Sequence, residues 1–172
     1  MAPDWCWVLD DGSGKAVGYV LCAPDTPAFV RQFRKDFLNV AKEHGIDQPA
    51  ESEAVKDLAT QLRRDVFYPE NMLQSDFPSL VQQYPAHLHI DILASHQSQK
   101  WGYKMINMLL KKLQADQIPG VHLGMAAANH RAGRFYDRLG FERFSEMEEQ
   151  GELGRKGNAI YRAKRTEQGV AP

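Results

Sequence analysis

The chain has 172 residues, 43% of them hydrophobic and 25% charged, with a formal net charge of −1. That length and apolar content suit one globular domain with a continuous core, and a second full domain is not expected. The charges are interspersed, so no basic field points to nucleic acid, no polybasic or amphipathic segment points to a membrane, and a cytoplasmic protein is expected, with nuclear entry left open.

In chain order, Trp5–Leu9 and Ala16–Cys22 are rich in aromatic and branched residues, and Asp10-Asp11-Gly12-Ser13-Gly14 between them is turn chemistry. They predict an antiparallel hairpin. Cys6 and Cys22 fall in these apolar runs without metal spacing, which predicts buried, reduced thiols. Asp25 or Thr26 then caps a helix with Pro27 in its first turn, and Phe29, Val30, Phe33, Phe37, Val40 and Ala41 form an apolar stripe that ends near Gly45. A second helix is predicted from Glu51 to Arg64, with Val55, Leu58 and Leu62 inward. Pro69, Pro78 and Pro85 predict loops around one short helix near Ser79–Gln83.

Leu88, Ile90 and Ile92 alternate with His89 and Asp91, so one strand offers an apolar and a titratable face. A turn at His96–Gly102 leads into a helix with Met105, Ile106, Leu109, Leu110 and Leu113 on one side. A strand at Val121–Met125 and a helix at His130–Leu139 follow. Strands at Phe141–Met147 and Asn158–Ala163, joined by a polar connection, close the domain, and the last nine residues are expected to be disordered. The order ββααβαβαββ predicts a mixed α/β sheet covered by helices.

A strand that gives way to a helix leaves free backbone N–H groups and a positive dipole end, an anion site. At that junction stands Gln97-Ser98-Gln99-Lys100-Trp101-Gly102. It resembles motif A of the GNAT acyltransferase superfamily, a Gln/Arg-x-x-Gly-x-Gly/Ala loop, with Lys100 at the central glycine. Asn129, Ala132, the Phe135-Tyr136 pair and Leu139-Gly140-Phe141 resemble motif B. Ala23-Pro24-Asp25-Thr26, Tyr84–Asp91 and Gly120–Gly124 are similar to the bacterial and fungal acetyltransferases related to the C-terminal acetyltransferase-like domain of O-GlcNAcase.

The resemblance covers residues 5 to about 163. It implies a GNAT-type mixed central sheet flanked by helices, lacking the strand and helices with which that fold normally opens. Residues 24–86 would be a helical insertion between the early hairpin and the motif A strand, in a single domain over 1–163 with a tail at 164–172. It also implies acetyl-CoA as co-substrate, no metal, and a small-molecule or peptide amine as acceptor. The acceptor itself and the oligomeric state are not legible.

By the same resemblance, backbone N–H groups of Gln97, Ser98, Gln99, Lys100, Trp101, Gly102 and Tyr103 hold the coenzyme pyrophosphate, and N–H groups of Ile92 and Leu93 receive the carbonyl. Asn129 and Phe135 contact the coenzyme arm, with helix capping as a second role for Asn129. Tyr136 is either the general acid beside the coenzyme sulfur or a packing residue. A phenol pKa of about 10 against about 8.5 for a thiol makes that proton transfer mildly uphill.

His89 and Asp91 share one side of their strand, and either could be the base that deprotonates an ammonium or a structural polar group. A metal among His87, His89, Asp91 and His122 is not expected, because same-face strand neighbours stand about 7 Å apart and no ligand motif follows. Neither cysteine adjoins the loop and no Gly-x-Ser-x-Gly elbow is present, so transfer would be direct, without a covalent enzyme intermediate. Lys100 keeps a second reading open. A β-carbon where a phosphate loop needs glycine could block coenzyme binding and leave a silent binding or scaffold module.

Overall fold

The fold comes from a computed structural model that describes residues 3–50, 53–54, 57–146 and 159–166. Asp10 accepts backbone hydrogen bonds from Gly12 (2.6 Å) and Gly14 (3.2 Å), and both glycines take left-handed φ values of +92° and +88°. This turn joins β1 (Cys6–Asp10) to β2 (Ala16–Ala23) in the expected antiparallel hairpin. Trp5 belongs to a short 3-10 turn instead of the strand. The two thiols differ, contrary to expectation. Cys6 is exposed on the outer strand, whereas Cys22 is buried, and burial pushes its thiol up to about 12.

The hairpin continues into β3 (Ala86–Ile92), which pairs antiparallel with β2 and parallel with β4 (Gly120–Ala126). Beyond β4 lie β6 (Ala159–Arg165) and, at the edge, β5 (Glu142–Arg143), giving the order β1-β2-β3-β4-β6-β5. The parallel pair is short. Only Ala86–Val121 and His87–His122 are in register before β3 and β4 part.

Two helices follow the sheet closely. α4 (Trp101–Ala115) buries Met105, Ile106, Leu109 and Leu113 against Val20, Leu88 and Val121 of the core. A fully buried leucine contributes about 1.5–3 kcal/mol, so this stripe is a principal tie between helix and sheet. α5 (His130–Arg138) ends one residue before the expected Leu139.

Between β2 and β3 the chain inserts α1 (Thr26–Glu43), α2 (Leu58–Phe67), a 3-10 turn at Pro69–Leu73 and α3 (Pro78–Gln83). Asp25 caps α1 through Ala28 N–H at 2.8 Å, and the Thr26 hydroxyl donates to the Pro85 carbonyl at 2.7 Å. α2 departs from expectation. It starts at Leu58, and Leu58 and Leu62 are 72% and 55% exposed, not inward. Its buried residues are Thr60 and Phe67, two helical turns apart, while Arg64 donates to the Glu53 carbonyl at 2.6 Å. Side-chain anchorage therefore turns the helix away from its own leucine stripe. Val55 lies outside the described residues.

A polar layer joins this insertion to the sheet. His87 and His122 stack at 5.5 Å, His122 Nδ1 meets the Tyr84 carbonyl at 2.7 Å, and the Gln74 amide donates to the Tyr161 hydroxyl at 2.7 Å. Burial, followed by the neighbouring His122 and His89, pushes His87 down to about 4.

The last strands also shift. The strand expected over Phe141–Met147 shrinks to Glu142–Arg143, and Ser145 and Glu146 are helical. Met147 and the polar connection to residue 158 lie outside the described residues. β6 runs to Arg165, and buried Thr166 donates its N–H to the Pro119 carbonyl at 3.1 Å, so folded chain passes the expected boundary at 163. Residues 167–172 of the expected tail are not among those described. No described helix is long and apolar enough to cross a membrane.

Candidate functional site

Beyond the point where β3 parts from β4, the end of β3, the N-terminal end of α4 and one side of α5 enclose a cleft of about 640 Å³. Ile90, Asp91 and Ile92 line it from β3, and Gln97, Ser98, Lys100, Gly102 and Tyr103 from the loop and first turn of α4. Asn129, Arg131, Ala132, Phe135, Tyr136, Arg138 and Leu139 close it from the α5 side.

The loop is shaped by backbone. After a 3-10 turn at Ala94–His96, the Gln97 side chain donates to the Ile92 carbonyl at 2.7 Å and pins the loop to the strand end. Ser98 and Lys100 take left-handed φ values of +62° and +66°. Lys100 thus adopts the turn that its β-carbon was expected to obstruct, at a cost of about 1–2 kcal/mol for an L-residue.

Lys100 is also the N-cap of α4 and makes no side-chain cap bond. The first helical bond is Lys104 N–H to the Lys100 carbonyl, so the N–H groups of Trp101, Gly102 and Tyr103 have no intrahelical partner. Gly102 admits close packing here. A β-carbon on it would stand 3.1 Å from the Phe135 ring.

Charge gathers on the same side. Lys100, Arg131 and Arg138 line the cleft, and Arg131 donates to the Ser98 hydroxyl at 2.9 Å, tying the loop to α5. Free helical N–H groups beside three cations suit a polyanionic ligand such as a diphosphate. Asn129 caps α5 through Ala132 N–H at 3.0 Å and also lines the cleft.

Tyr136 is 7% exposed and faces the cleft. Burial pushes its phenol up to about 12, against a smaller downward pull from the Arg162 charge. The gap to an ordinary thiol therefore widens, and the phenol stays a hydrogen-bond donor across physiological pH. Asp91 stands at the rim, where its carboxylate accepts Ile92 N–H at 2.8 Å.

Four anticipated residues do not line the cleft. His89 stacks on Tyr19 at 5.6 Å and meets its hydroxyl at 3.1 Å. Leu93 N–H donates to the Val17 carbonyl at 2.9 Å, so it is not available to a carbonyl oxygen. Gln99 turns back to the Ser95 carbonyl at 3.2 Å, and Trp101 packs on the core with Lys104 4.2 Å above its ring. Strand N–H groups alternate between edges, so Leu93 pointing to β2 places the Ile90 and Ile92 N–H groups toward the gap, where the Asp91 carboxylate already accepts that of Ile92. Ile90 had been assigned only to the apolar face.

The reading from residues also missed Arg131, Ala132, Arg138 and Leu139. Arg131 and Arg138 lie seven apart on one face of α5, a spacing that could have found them. Among the described residues, no group of three or more His, Cys, Asp or Glu is placed to hold a metal ion.

A model of the acetyltransferase (GNAT) family matches residues 75–141, from the short helix before β3 through α5. The crystal structure of SsHAT is 34% identical over 96% of this chain and 74% of its own, with a TM-score of 0.79. The chain belongs to the GNAT acetyltransferase family. A further crystal structure, described as an acetyltransferase, shares the GNAT fold at 14% identity and a TM-score of 0.56, over 95% of this chain and 71% of its own. Drosophila melanogaster polyamine N acetyltransferase, an enzyme that forms N-acetylagmatine, shares it at 11% identity and a TM-score of 0.50, over 93% of this chain and 74% of its own. In this GNAT domain the residues that line the cleft all lie within the segment that the family model covers.

Proposed function

We propose that this GNAT domain binds acetyl-CoA in the cleft and transfers its acetyl group directly to an amine. The observation that carries this is the conjunction of parted strands with an uncapped α4 whose first turn opens on a cleft that Lys100, Arg131 and Arg138 also line. The diphosphate lies against the N–H groups of Trp101, Gly102 and Tyr103, with Lys100 and Arg131 beside it, and the pantetheine arm passes Asn129 and Phe135 into the gap.

The amine lone pair attacks the thioester carbon. A C–N bond forms, and the carbonyl oxygen takes the negative charge, directed at the Ile90 N–H group. The carbonyl then re-forms as the C–S bond breaks and the nitrogen releases its remaining extra proton to water, and Tyr136 hydrogen-bonds the departing thiolate, which takes its proton from solvent because a buried phenol near 12 is a poor donor to it. Asp91 at the rim receives the proton of the incoming ammonium. His89 acts from farther out, through the open strand face that it shares with Asp91. The acceptor is a small-molecule or peptide amine in the cytoplasm, and kinship with the O-GlcNAcase-related acetyltransferases belongs to the same proposal.

Calorimetric titration with acetyl-CoA, desulfo-coenzyme A and ADP tests it, followed by thiol release with a panel of amines. Micromolar binding that needs the pantetheine arm, with turnover, is the expected outcome. A folded protein that binds none of them overturns it. The alternative, a silent binding module, draws on the occupied Leu93 N–H and the raised Tyr136 phenol, and it predicts no amine-dependent thiol release.

A further inference from the structure

α5 divides two cavities. Arg131, Phe135 and Arg138 face the coenzyme cleft, whereas His130, Arg134 and Asp137, spaced three and four apart, face a second cavity of about 200 Å³ behind the helix. We propose that this second cavity is a binding site for a small oxyanion, a phosphate or a carboxylate. The proposal does not depend on coenzyme binding.

Among the described residues, the guanidinium groups of Arg134, Arg143 and Arg162 and the carboxylate of Asp137 line the cavity, and Arg143 has a further partner of its own. Arg162 is 3% exposed. Its Nη1 donates to the Asp137 carboxylate and to the Phe141 carbonyl, the latter at 3.2 Å. Its Nε is buried and has no hydrogen-bond partner among the described residues. A buried donor of a charged group is rarely left without an acceptor, and an ion is one of the few things that supplies it. The edge of a guanidinium that carries Nε is also the one that meets a carboxylate or phosphate through parallel N–H bonds.

The cavity's size agrees with that ligand. At about 30 Å³ per water, 200 Å³ holds a small anion with part of its hydration shell, and it is less than a third of the coenzyme cleft. Asn129 borders both cavities. An anion here would sit one helix width from the acetyl-transfer site, so it comes either from an acidic group of the acceptor or from a free anion in solution.

The test is calorimetry of the full chain with inorganic phosphate at constant ionic strength, comparing wild type with an Arg134→Ala/Arg143→Ala variant and with Lys100→Ala/Arg131→Ala. Arg162 is kept, because it also holds α5 to β6, and circular dichroism confirms that each variant is folded. Phosphate binding that survives Lys100→Ala/Arg131→Ala and weakens at least tenfold in Arg134→Ala/Arg143→Ala is expected. No phosphate heat, or loss only in the coenzyme-cleft variant, overturns the proposal. In the wild type, competition by an amino acid such as β-alanine but not by propylamine assigns the anion to the acceptor. Phosphate binding indifferent to both assigns it to a free anion.

Discussion

α2 and α4 carry the same kind of sequence pattern and have opposite uses. α4 buries its apolar stripe under the sheet and leaves its N-terminal N–H groups open to the cleft. α2 exposes Leu58 and Leu62, and Asp57 closes its N-terminus by accepting Thr60 N–H at 2.7 Å. A helix fixed along its length by core contacts can hold unpartnered donors in place for a ligand, while a helix held by few contacts satisfies its own end.

Core substitution should separate the two most. Leu109→Ala is expected to lose about 2–5 kcal/mol of unfolding free energy in urea melts. The stripe of α4 would not be the principal tie to the sheet if that loss stayed below about 1 kcal/mol.

Acidification should act next, through the layer between insertion and sheet. Burial lowers His87 to about 4, so between about 6.5 and 4 the unfolded chain binds the extra proton. The stabilising effect of keeping His87 neutral is fully present above 6.5 and is lost as pH falls. Stability should drop by on the order of 1 kcal/mol per pH unit in that window, and His87→Gln should flatten the slope in urea melts at pH 7, 6 and 5.

At the open end of α4, Tyr136→Phe should lower kcat about tenfold to hundredfold and leave KM for acetyl-CoA nearly unchanged. An unaltered kcat would reduce the tyrosine to packing. Lys100→Gly should relieve the left-handed residue, raise stability by about 1 kcal/mol and tighten acetyl-CoA binding in calorimetry. Weaker binding instead would show that the lysine charge matters more than the strain. The smallest effect is expected on α2, where Leu62→Gln should change unfolding free energy by less than about 0.5 kcal/mol.

Local chemistry made several parts legible. The Asp10–Gly14 turn, the Asp25 cap, the alternation along β3 and the stripe of α4 each follow from residues close in the chain, whereas the family resemblance, not local chemistry, implied that Gln97, Ser98, Gly102 and Asn129 share one site. The direction of a helix face relative to the core was not local. Leu58 and Leu62 have the spacing of a buried stripe, yet Phe67 and Arg64 find partners that turn the helix outward. Hydrogen-bond occupancy was not local either, since Leu93 lost its N–H to Val17, which is distant in sequence.

The amino-acid sequence by itself determined the order of elements, the loop that opens α4 and the helix that carries Tyr136, because turn, cap and periodicity are encoded within a few residues. Only the tertiary structure decided where β3 and β4 part, which side of α5 faces the cleft, that Lys100 can hold a left-handed turn, and that Arg162 is buried with an Nε unpartnered among the described residues. Those outcomes depend on strands and helices far apart in the chain meeting in one place, and no spacing along the sequence contains that information.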